Sequence, residues 1–392
     1  MARWIRWMAA AGLAVAVLAL ASGASAQAPG YELWVVDQAN VANGGDIMYV
    51  YASGAWSEAR ELVHLSERAA GVGDGPGMRP HLLAFNSTQS HALLANVASG
   101  HVYVIRSADR TIVASIDVGE QAHGAVASPD DRWILVANQN GKRLARIRAD
   151  FAAEQFTYEP DADQNLKALE DEGHPDNAPI CPVMYVGTGG KAYVTVRGGG
   201  LYVVDTLTTP MAVTRAYDKG QIGPSGCGGL IGAGGDLVYV NSGSAAGGSV
   251  YALNAATDEI VRSLATTPFG TDAHGMALVG GRYLWIANRG DGDTIAVVDT
   301  RTFEVVGTIA DVGAAPDLME PSPNGDLVFV TLRGPRALTG GPTAVGTTPG
   351  VAIVFVEHGG MSGRRVAFIP IGSQDEGSHA DPHALAVRRL GR

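Results

Sequence analysis

The chain is built from short runs in which apolar and polar residues alternate, separated by turns rich in Gly, Asp and Asn. Between positions 275 and 312, for example, four such runs follow one another: GMALVG, YLWIAN, TIAVVDT and FEVVGTIADV. Alternation with a period of two predicts half-buried strands, and the turn residues between them predict antiparallel hairpins. The pattern therefore predicts a unit of four antiparallel strands.

The four-strand unit repeats along the chain. The start of the unit is clearest in RPHLLAFNSTQSHALLANVASG (79–100), QAHGAVASPDDRWILVANQNG (121–141) and DAHGMALVGGRYLWIANRGDG (272–292). A first run can be found seven times, as HLLAFN, HGAVAS, PVMYVG, GGLIGA, GMALVG, LMEPS and HALAV. A repeat length in the forties with four strands per unit is typical of β-propellers, so we predict seven blades.

The two ends of the chain supply incomplete units that complement each other. Near the N-terminus, ELWVVDQ, DIMYVYAS and ARELVHLS match the second, third and fourth strands, while HALAVRRL at the C-terminus matches a first strand. Joining them would leave no open sheet edge in the ring. We predict an all-β fold, a single seven-bladed β-propeller over residues 27–392, whose last blade is closed by the N-terminal strands plus the C-terminal strand.

The second strands and the turns before them carry a family resemblance. The strands read LLAN, ILVAN, AYVTV, VYVN, WIAN and VFVTL, and two of the turns read SPDD and SPNG. In these features the chain resembles the YVTN-type β-propeller repeat over nearly all of residues 27–392. The resemblance implies the propeller fold and no particular catalytic residue, and related architectures serve lactonases as well as copper enzymes. Function must therefore be argued from the site.

The N-terminal residues have the pattern of a signal peptide. Arg3 and Arg6 precede an apolar run from Met8 to Ala21, and small residues follow at positions 24–26. We predict a signal peptide over residues 1–26 and a periplasmic or secreted protein. No later apolar run is long enough to span a bilayer, so we predict no transmembrane segment in the mature chain.

Charge and motifs exclude several functional classes. The formal net charge is -11, without a face rich in Lys and Arg, so nucleic acid is not the predicted partner. The sequence has no Cys-x-x-Cys-His attachment motif, so we predict no covalent haem.

Metal-ligand residue types recur at the start of the first strands. Counting back 14 or 15 positions from the end of each second strand, and aligning the last unit by its Asp-x-His motif, gives one residue per blade. His and Cys together number only 12 of 392 residues, yet they fill all but one of these seven positions. Because the first strands of a propeller line its central tunnel, we predict that these side chains form a ring on the axis: His81, His123, Cys181, Cys227, His274, Asp317 and His383.

Imidazole, thiolate and carboxylate groups bind transition metals, so the ring predicts a metal site, with copper favoured over iron and iron over zinc. Copper or iron would indicate an oxidoreductase. Two other functions remain open, a non-enzymatic binding or scaffold propeller and a lactonase-like metal-dependent hydrolase. The residues also allow simpler roles: the histidines could hold tunnel water, Asp317 could cap a loop, and Cys181 could form a disulfide with Cys227.

A second set of polar residues follows the second strands. Their planar donors suit a carboxylate, sulfate or phosphate, so we predict a small-molecule, anionic ligand at the tunnel mouth. The alternative is that the arginines pair with nearby acidic residues. The longest insertions, including 159–180 and 334–350, are expected at the same face, where binding loops usually lie. The predicted ligand-binding residues are Gln139, Arg197, Asn288, Arg289 and Arg333.

Overall fold

The computed structural model describes residues 30–391, with gaps at 40, 76–78, 170–172, 175, 177, 188, 224–225, 232–236, 246, 266–269 and 291–292. For residues 41, 180–184, 186, 226–231, 265 and 342 it describes the backbone alone. The predicted signal peptide, residues 1–26, lies outside the described residues.

Seven antiparallel sheets are arranged in a ring, which confirms the predicted seven-bladed β-propeller. We number the blades by the position of their first, innermost strand in the chain. The second blade has an additional short strand, Gln164–Asn165, on its third strand. In order from the inner to the outer strand, the blades are: blade one, Pro80–Phe85, His91–Asn96, His101–Arg106, Ile112–Asp117; blade two, Ala122–Ala127, Trp133–Asn138, Arg143–Asp150, Gln155–Tyr158; blade three, Pro179–Val186, Lys191–Val196, Leu201–Asp205, Ala212–Tyr217; blade four, Gly226–Ile231, Leu237–Ser244, Gly247–Asn254, Ile260–Ala265; blade five, Ala273–Val279, Tyr283–Asn288, Thr294–Asp299, Glu304–Ile309; blade six, Pro316–Pro321, Leu327–Leu332, Gly350–Glu357, Ser362–Pro370; blade seven, Pro382–Arg389, Tyr31–Asp37, Ile47–Ala52, Glu61–His64.

Blade seven is shared between the two ends of the chain. Its inner strand, Pro382–Arg389, is the last strand in the sequence and pairs antiparallel with Tyr31–Asp37, with Val387 opposite Leu33. This confirms the predicted closure, in which two chain ends separated by some 350 residues are hydrogen-bonded within one sheet.

The hydrophobic core consists of seams between neighbouring blades. Leu284 and Trp285 are consecutive and fully buried in the second strand of blade five, and they face opposite sides of the sheet. Leu284 packs in the seam with blade four and Trp285 in the seam with blade six. Since both faces of the inner strands are covered, the second strand Tyr283–Asn288 is buried at every position, whereas the outer strand Glu304–Ile309 alternates between exposed and less exposed positions.

Helical structure is limited to one short α-helix, Leu65–Ala69, and short 3-10 turns in the described parts of the chain. The turns are Val41–Asn43, Ala70–Val72, Pro160–Ala162, Lys167–Leu169, Pro342–Ala344 and His358–Gly360. Within the described residues, no helix has the length and apolar character needed to cross a membrane.

Candidate functional site

Each first strand has a β-bulge at the position where the sequence predicted a ring residue. In blade one, Pro80 pairs with Asn96 but Leu82 already pairs with Ala95, so His81 is the extra, unpaired residue. A register shift occurs at the same place in the inner strands of the other six blades, by one residue in five of them and by two residues in blade three. A bulge changes the direction of a side chain that a regular strand would point into the seam between blades. These bulges lie beside the tunnel axis, so the ring residues can face the axis.

The backbone leading into these bulges is strained in four blades. The residue two positions before the ring residue has a positive φ of 47° to 61° although none of the four is glycine. A left-handed non-glycine residue costs about 1–3 kcal/mol, and such outliers are concentrated at functional sites. The four residues are Arg79, Gln121, Asp272 and Ala315.

The four predicted histidines are brought together on the axis. The ring centroids of His81 and His383 are 4.1 Å apart, those of His81 and His123 are 4.2 Å apart, and those of His274 and His383 are 5.9 Å apart. All four side chains are buried, the most exposed being His123 at 7%. Four imidazoles from four different blades therefore share one small volume.

Asp317 lies behind two of these imidazoles. Its Oδ2 accepts a hydrogen bond from Nδ1 of His383 at 2.6 Å, and its Oδ1 pairs with Nδ1 of His274. Asp317 is fully buried and does not line the cavity on this face. A carboxylate that accepts from Nδ1 keeps the proton there and leaves the lone pair on Nε2. The Nε2 atom of His383 has no hydrogen-bond partner among the described residues.

His81 is fixed in the same tautomer by Gln38. The amide Nε2 of Gln38 donates to Asp381 at 3.0 Å, which leaves its Oε1 to accept from Nδ1 of His81 at 3.1 Å. The lone pair of His81 is therefore on Nε2, which is buried and has no partner in the described structure. His123 differs, because it is Nδ1 that lacks a hydrogen-bond partner there.

Arg333 is fully buried between two aspartates. Its guanidinium donates to Asp381 at 2.6 and 2.8 Å and to Asp317 at 2.8 Å. Arg289 makes a similar two-point contact with Asp272 at 2.9 and 3.1 Å. Two of the three arginines predicted to face a ligand thus hold the aspartates of the site in place, and the third, Arg197, pairs with Asp176.

Burial sets the protonation of the imidazoles. Desolvation, reinforced by the neighbouring imidazoles, lowers the pKa of His123 to about 3 and holds the pKa of His81 well below its usual value. Desolvation also lowers the pKa of His383, although Asp317 opposes the shift. Burial alone would raise the pKa of Asp317, but His274, His383 and the two arginines hold it well below the usual range. Near neutral pH, His81, His123 and His383 are therefore neutral and Asp317 is ionised.

The aspartates buried around the axis are all paired. Among the described side chains, Asp272 and Asp381 pair with Arg289 and Arg333, and Asp317 pairs with Arg333 and with the imidazoles of His274 and His383. A carboxylate directly behind two imidazoles favours a cation bound on their other side.

A cavity of about 470 Å³ opens above the imidazoles. Of the five residues predicted to bind a ligand, Arg197 and Arg289 line it, whereas Gln139, Asn288 and Arg333 do not. The insertion after the second strand of blade six forms one wall, as its predicted position implies. Thr343 of this insertion donates to Asp272 at 2.6 Å, and the backbone N–H of Leu338 donates to Asp381 at 2.7 Å.

Cys181 and Cys227 lie in the inner strands of blades three and four. Their side chains, to which the predicted metal-ligand and disulfide roles belong, lie outside the described residues. In the described part of the chain, no three His, Cys, Asp or Glu side chains are already placed to hold one metal ion.

A repeated motif in the sequence marks two of the residues that support the histidines. Asp272 and Asp381 each stand two positions before a ring histidine, His274 and His383. This Asp-x-His repeat helped to align the blades, but the sequence did not show that the aspartates anchor arginines. Nor did it show that Gln38, which follows a second strand, orients an imidazole.

We expect the replacement Arg333→Met to destabilise the fold by about 3–5 kcal/mol, because it leaves Asp317 and Asp381 buried without their cation. Arg132→Met is the matched control, since both Arg132 and its partner Asp130 are exposed, and exposed pairs contribute about 0–1 kcal/mol. Denaturant unfolding of both variants measures the difference. An equal decrease in the free energy of unfolding of the two variants would show that the buried ion pairs contribute no more to stability than an exposed pair.

Neither a protein-family model nor a curated protein sequence matches this chain, so membership of the YVTN-type family stays a prediction. Solved structures do match, at low identity. The periplasmic gluconolactonase of Pseudomonas aeruginosa has a TM-score of 0.66 and 16% identity over 92% of this chain and 100% of that one. A candidate 6-phosphogluconolactonase from Bacteroides fragilis has a TM-score of 0.66 and 14% identity, over 93% and 99%. A chain of Kuenenia stuttgartiensis hydrazine synthase has a TM-score of 0.59 and 12% identity, over 80% and 96%.

These similarities establish the fold of the chain. Proteins of different chemistry share it, so the fold does not select an activity.

Proposed function

We propose that this protein binds one transition-metal ion on the propeller axis and uses it to act on a small molecule in the cavity above. The ligands are the Nε2 atoms of His81, His274 and His383, and His123 or a cysteine completes the set. Copper is preferred over iron and iron over zinc, because the ligands are imidazoles with sulfur as an additional donor. The proposal includes export to the periplasm or medium, as the N-terminal sequence predicts.

The observation that carries the proposal is the common orientation of three buried imidazoles. In His274 and His383 the Nδ1 atom faces Asp317, and in His81 it faces Gln38. Metal-binding histidines are oriented in this way, with Nδ1–H on a carboxylate or carbonyl oxygen and Nε2 on the metal. In His81 and His383 the buried Nε2 atom has no hydrogen-bond partner among the described residues, so it is available to a ligand on the axis.

The binding of an ion requires the rings to move apart. His81 and His383 are stacked at 4.1 Å, whereas imidazoles on one ion at about 2.0 Å per bond have centroids roughly 5 Å apart. Rotation about the Cα–Cβ bonds can supply this change, while the hydrogen bonds at Nδ1 limit it. The carboxylate of Asp317 behind two of the imidazoles favours the bound ion.

The chain's own residues would then have distinct tasks. Asp317 and Gln38 hold the imidazole tautomers. Arg333 favours the ionised form of Asp317 and holds both Asp317 and Asp381 in place. Arg289, at the cavity wall, provides positive charge for an anionic or carbonyl-bearing ligand. A bound metal ion would supply either electron transfer or Lewis-acid polarisation.

The test is the metal content of protein purified after supplementation with copper, iron and zinc. We expect about one ion per wild-type chain, and a metal affinity 10–100-fold weaker in Asp317→Asn, because the amide no longer holds both imidazoles in one tautomer. His358→Ala is the matched control, as His358 is exposed and bonds only Ser362. Wild-type protein without stoichiometric metal would refute the proposal and favour a propeller that binds partners without catalysis.

A second candidate is a lactonase-like hydrolase that uses a divalent ion at the same place. The structural similarity to a gluconolactonase and to a candidate 6-phosphogluconolactonase favours it, and the cavity lies at the face where the long insertions emerge. Hydrolysis of a sugar lactone that chelator abolishes and zinc restores would distinguish it from redox chemistry, which would show an optical band of copper or iron.

A further inference from the structure

A second and larger cavity, of about 850 Å³, lies at the opposite end of the tunnel. It forms where the inner strands of blades one, six and seven end, at the turns 86–89 and 321–323. Its volume lies within the range of small-molecule sites, which are mostly apolar with a few polar groups. Leu83, Leu385 and Val387 supply apolar walls, and two charged residues, Glu320 and Arg389, also line it.

Glu320 departs from the pattern of the repeat. The residue equivalent to Glu320 in another blade is the inner-strand residue that pairs with the same position of the second strand, three residues before that strand ends. It can be identified in this way in five blades, including blade six itself. In blade seven this partner of the inner strand is Trp34. Four of the five positions hold small or branched apolar residues, and only blade six has a charge there. The five residues are Ala84, Val126, Ala277, Glu320 and Ala386.

The two charged side chains of this cavity are not used by the fold. Neither the carboxylate of Glu320 nor the guanidinium of Arg389 forms a hydrogen bond or ion pair with another residue in the described structure. Both side chains are exposed to the cavity. Desolvation by the surrounding protein raises the pKa of Glu320 to about 7, while Arg389 opposes the shift. By contrast, Asp272, Asp317 and Asp381 at the other end are all paired with arginines.

We propose that this cavity binds a zwitterionic small molecule, namely a free amino acid or a compound of the same class. The ammonium group would pair with Glu320 and the carboxylate with Arg389, whose planar guanidinium suits carboxylate oxygens. The apolar part of the ligand would lie against Leu83, Leu385 and Val387. The site is separate from the imidazoles and does not depend on the metal proposal.

Calorimetric titration of the full chain with a series of compounds tests this site. The series is glycine, β-alanine, 4-aminobutyrate and leucine, with butylamine and butyrate as single-charge controls, at a pH above the pKa of Glu320. We expect at least one zwitterion to bind, and both single-charge compounds to bind at least about tenfold more weakly, since each makes only one of the two ion pairs. The preferred spacing between amine and carboxylate reports the separation of Glu320 and Arg389.

Two variants and two controls locate the binding. Glu320→Gln and Arg389→Gln should each weaken the zwitterion at least about tenfold, whereas Glu304→Gln and Arg301→Gln, on an exposed strand and turn, should not. The proposal is overturned if no zwitterion binds at millimolar concentration, if butylamine or butyrate binds as well, or if binding survives both variants. Metal content is measured on the same samples, so that loss of zwitterion binding can be distinguished from loss of metal at the axis site.

Discussion

A chain that ends at Ala380 should fail to fold into a closed ring. The missing segment contains the inner strand of blade seven, Pro382–Arg389, which pairs with Tyr31–Asp37 and buries the residues 384–387. Loss of this apolar burial, together with Asp381, the partner of Arg333, removes on the order of 10 kcal/mol. A typical domain is stable by about 5–15 kcal/mol, so little or nothing remains.

Circular dichroism and thermal unfolding measure this result. The control is a chain ending at Leu390, which keeps the whole inner strand and should unfold as the full-length protein does. Cooperative unfolding of the Ala380 chain at an unchanged temperature would contradict the closure of the ring by its two ends.

The second large effect concerns metal and stability together. If His81, His274 and His383 hold one ion, wild-type protein should melt several degrees lower with a strong chelator than without it. Metal bound only by the folded state, at a free concentration 1,000 times its dissociation constant, adds about 4 kcal/mol. His383→Ala should lose this difference, so that its melting temperature is the same in both conditions.

The metal-free proteins provide the comparison. In chelator, His383→Ala should differ from wild type by only about 1–3 kcal/mol, the cost of leaving Asp317 without one of its hydrogen bonds. His358→Ala should retain the full chelator effect. Wild type that melts identically with and without chelator, after metal supplementation, would show that the imidazoles have a structural role.

Local pattern in the sequence was sufficient for the architecture. Alternation of apolar and polar residues, turn chemistry and a repeat length in the forties are properties of neighbouring residues, so they can be read without knowing distant contacts. The incomplete units at the two ends then fixed the closure of blade seven. Counting back from the ends of the second strands gave the positions of His81, His123, His274 and Asp317, and the Asp-x-His motif gave that of His383. Both steps work because equivalent positions of a repeat occupy equivalent places in the ring.

The roles of these residues depended on contacts between blades. Asp317 was predicted as a metal ligand, and the structure places it behind His274 and His383, the second of which is 66 residues away in the chain. Arg333 was predicted at the tunnel mouth, and it lies fully buried on Asp317 and Asp381. The periodic pattern of the sequence does not show which aspartate or glutamate an arginine will pair with. That choice depends on the length of the side chains and on the distance between neighbouring sheets.

The bulges and the second cavity show the same division. The sequence placed His81 on a strand, where alternation would send every second side chain into a blade seam; the register shift that turns it to the axis is visible only in the pairing of Pro80 and Leu82 with the next strand. Glu320 and Arg389 belong to different blades and come together only when the ring closes. The sequence by itself determined the blades and the residue types on the axis. Tertiary structure decided their partners, their protonation and their orientation, because these depend on packing across blade boundaries.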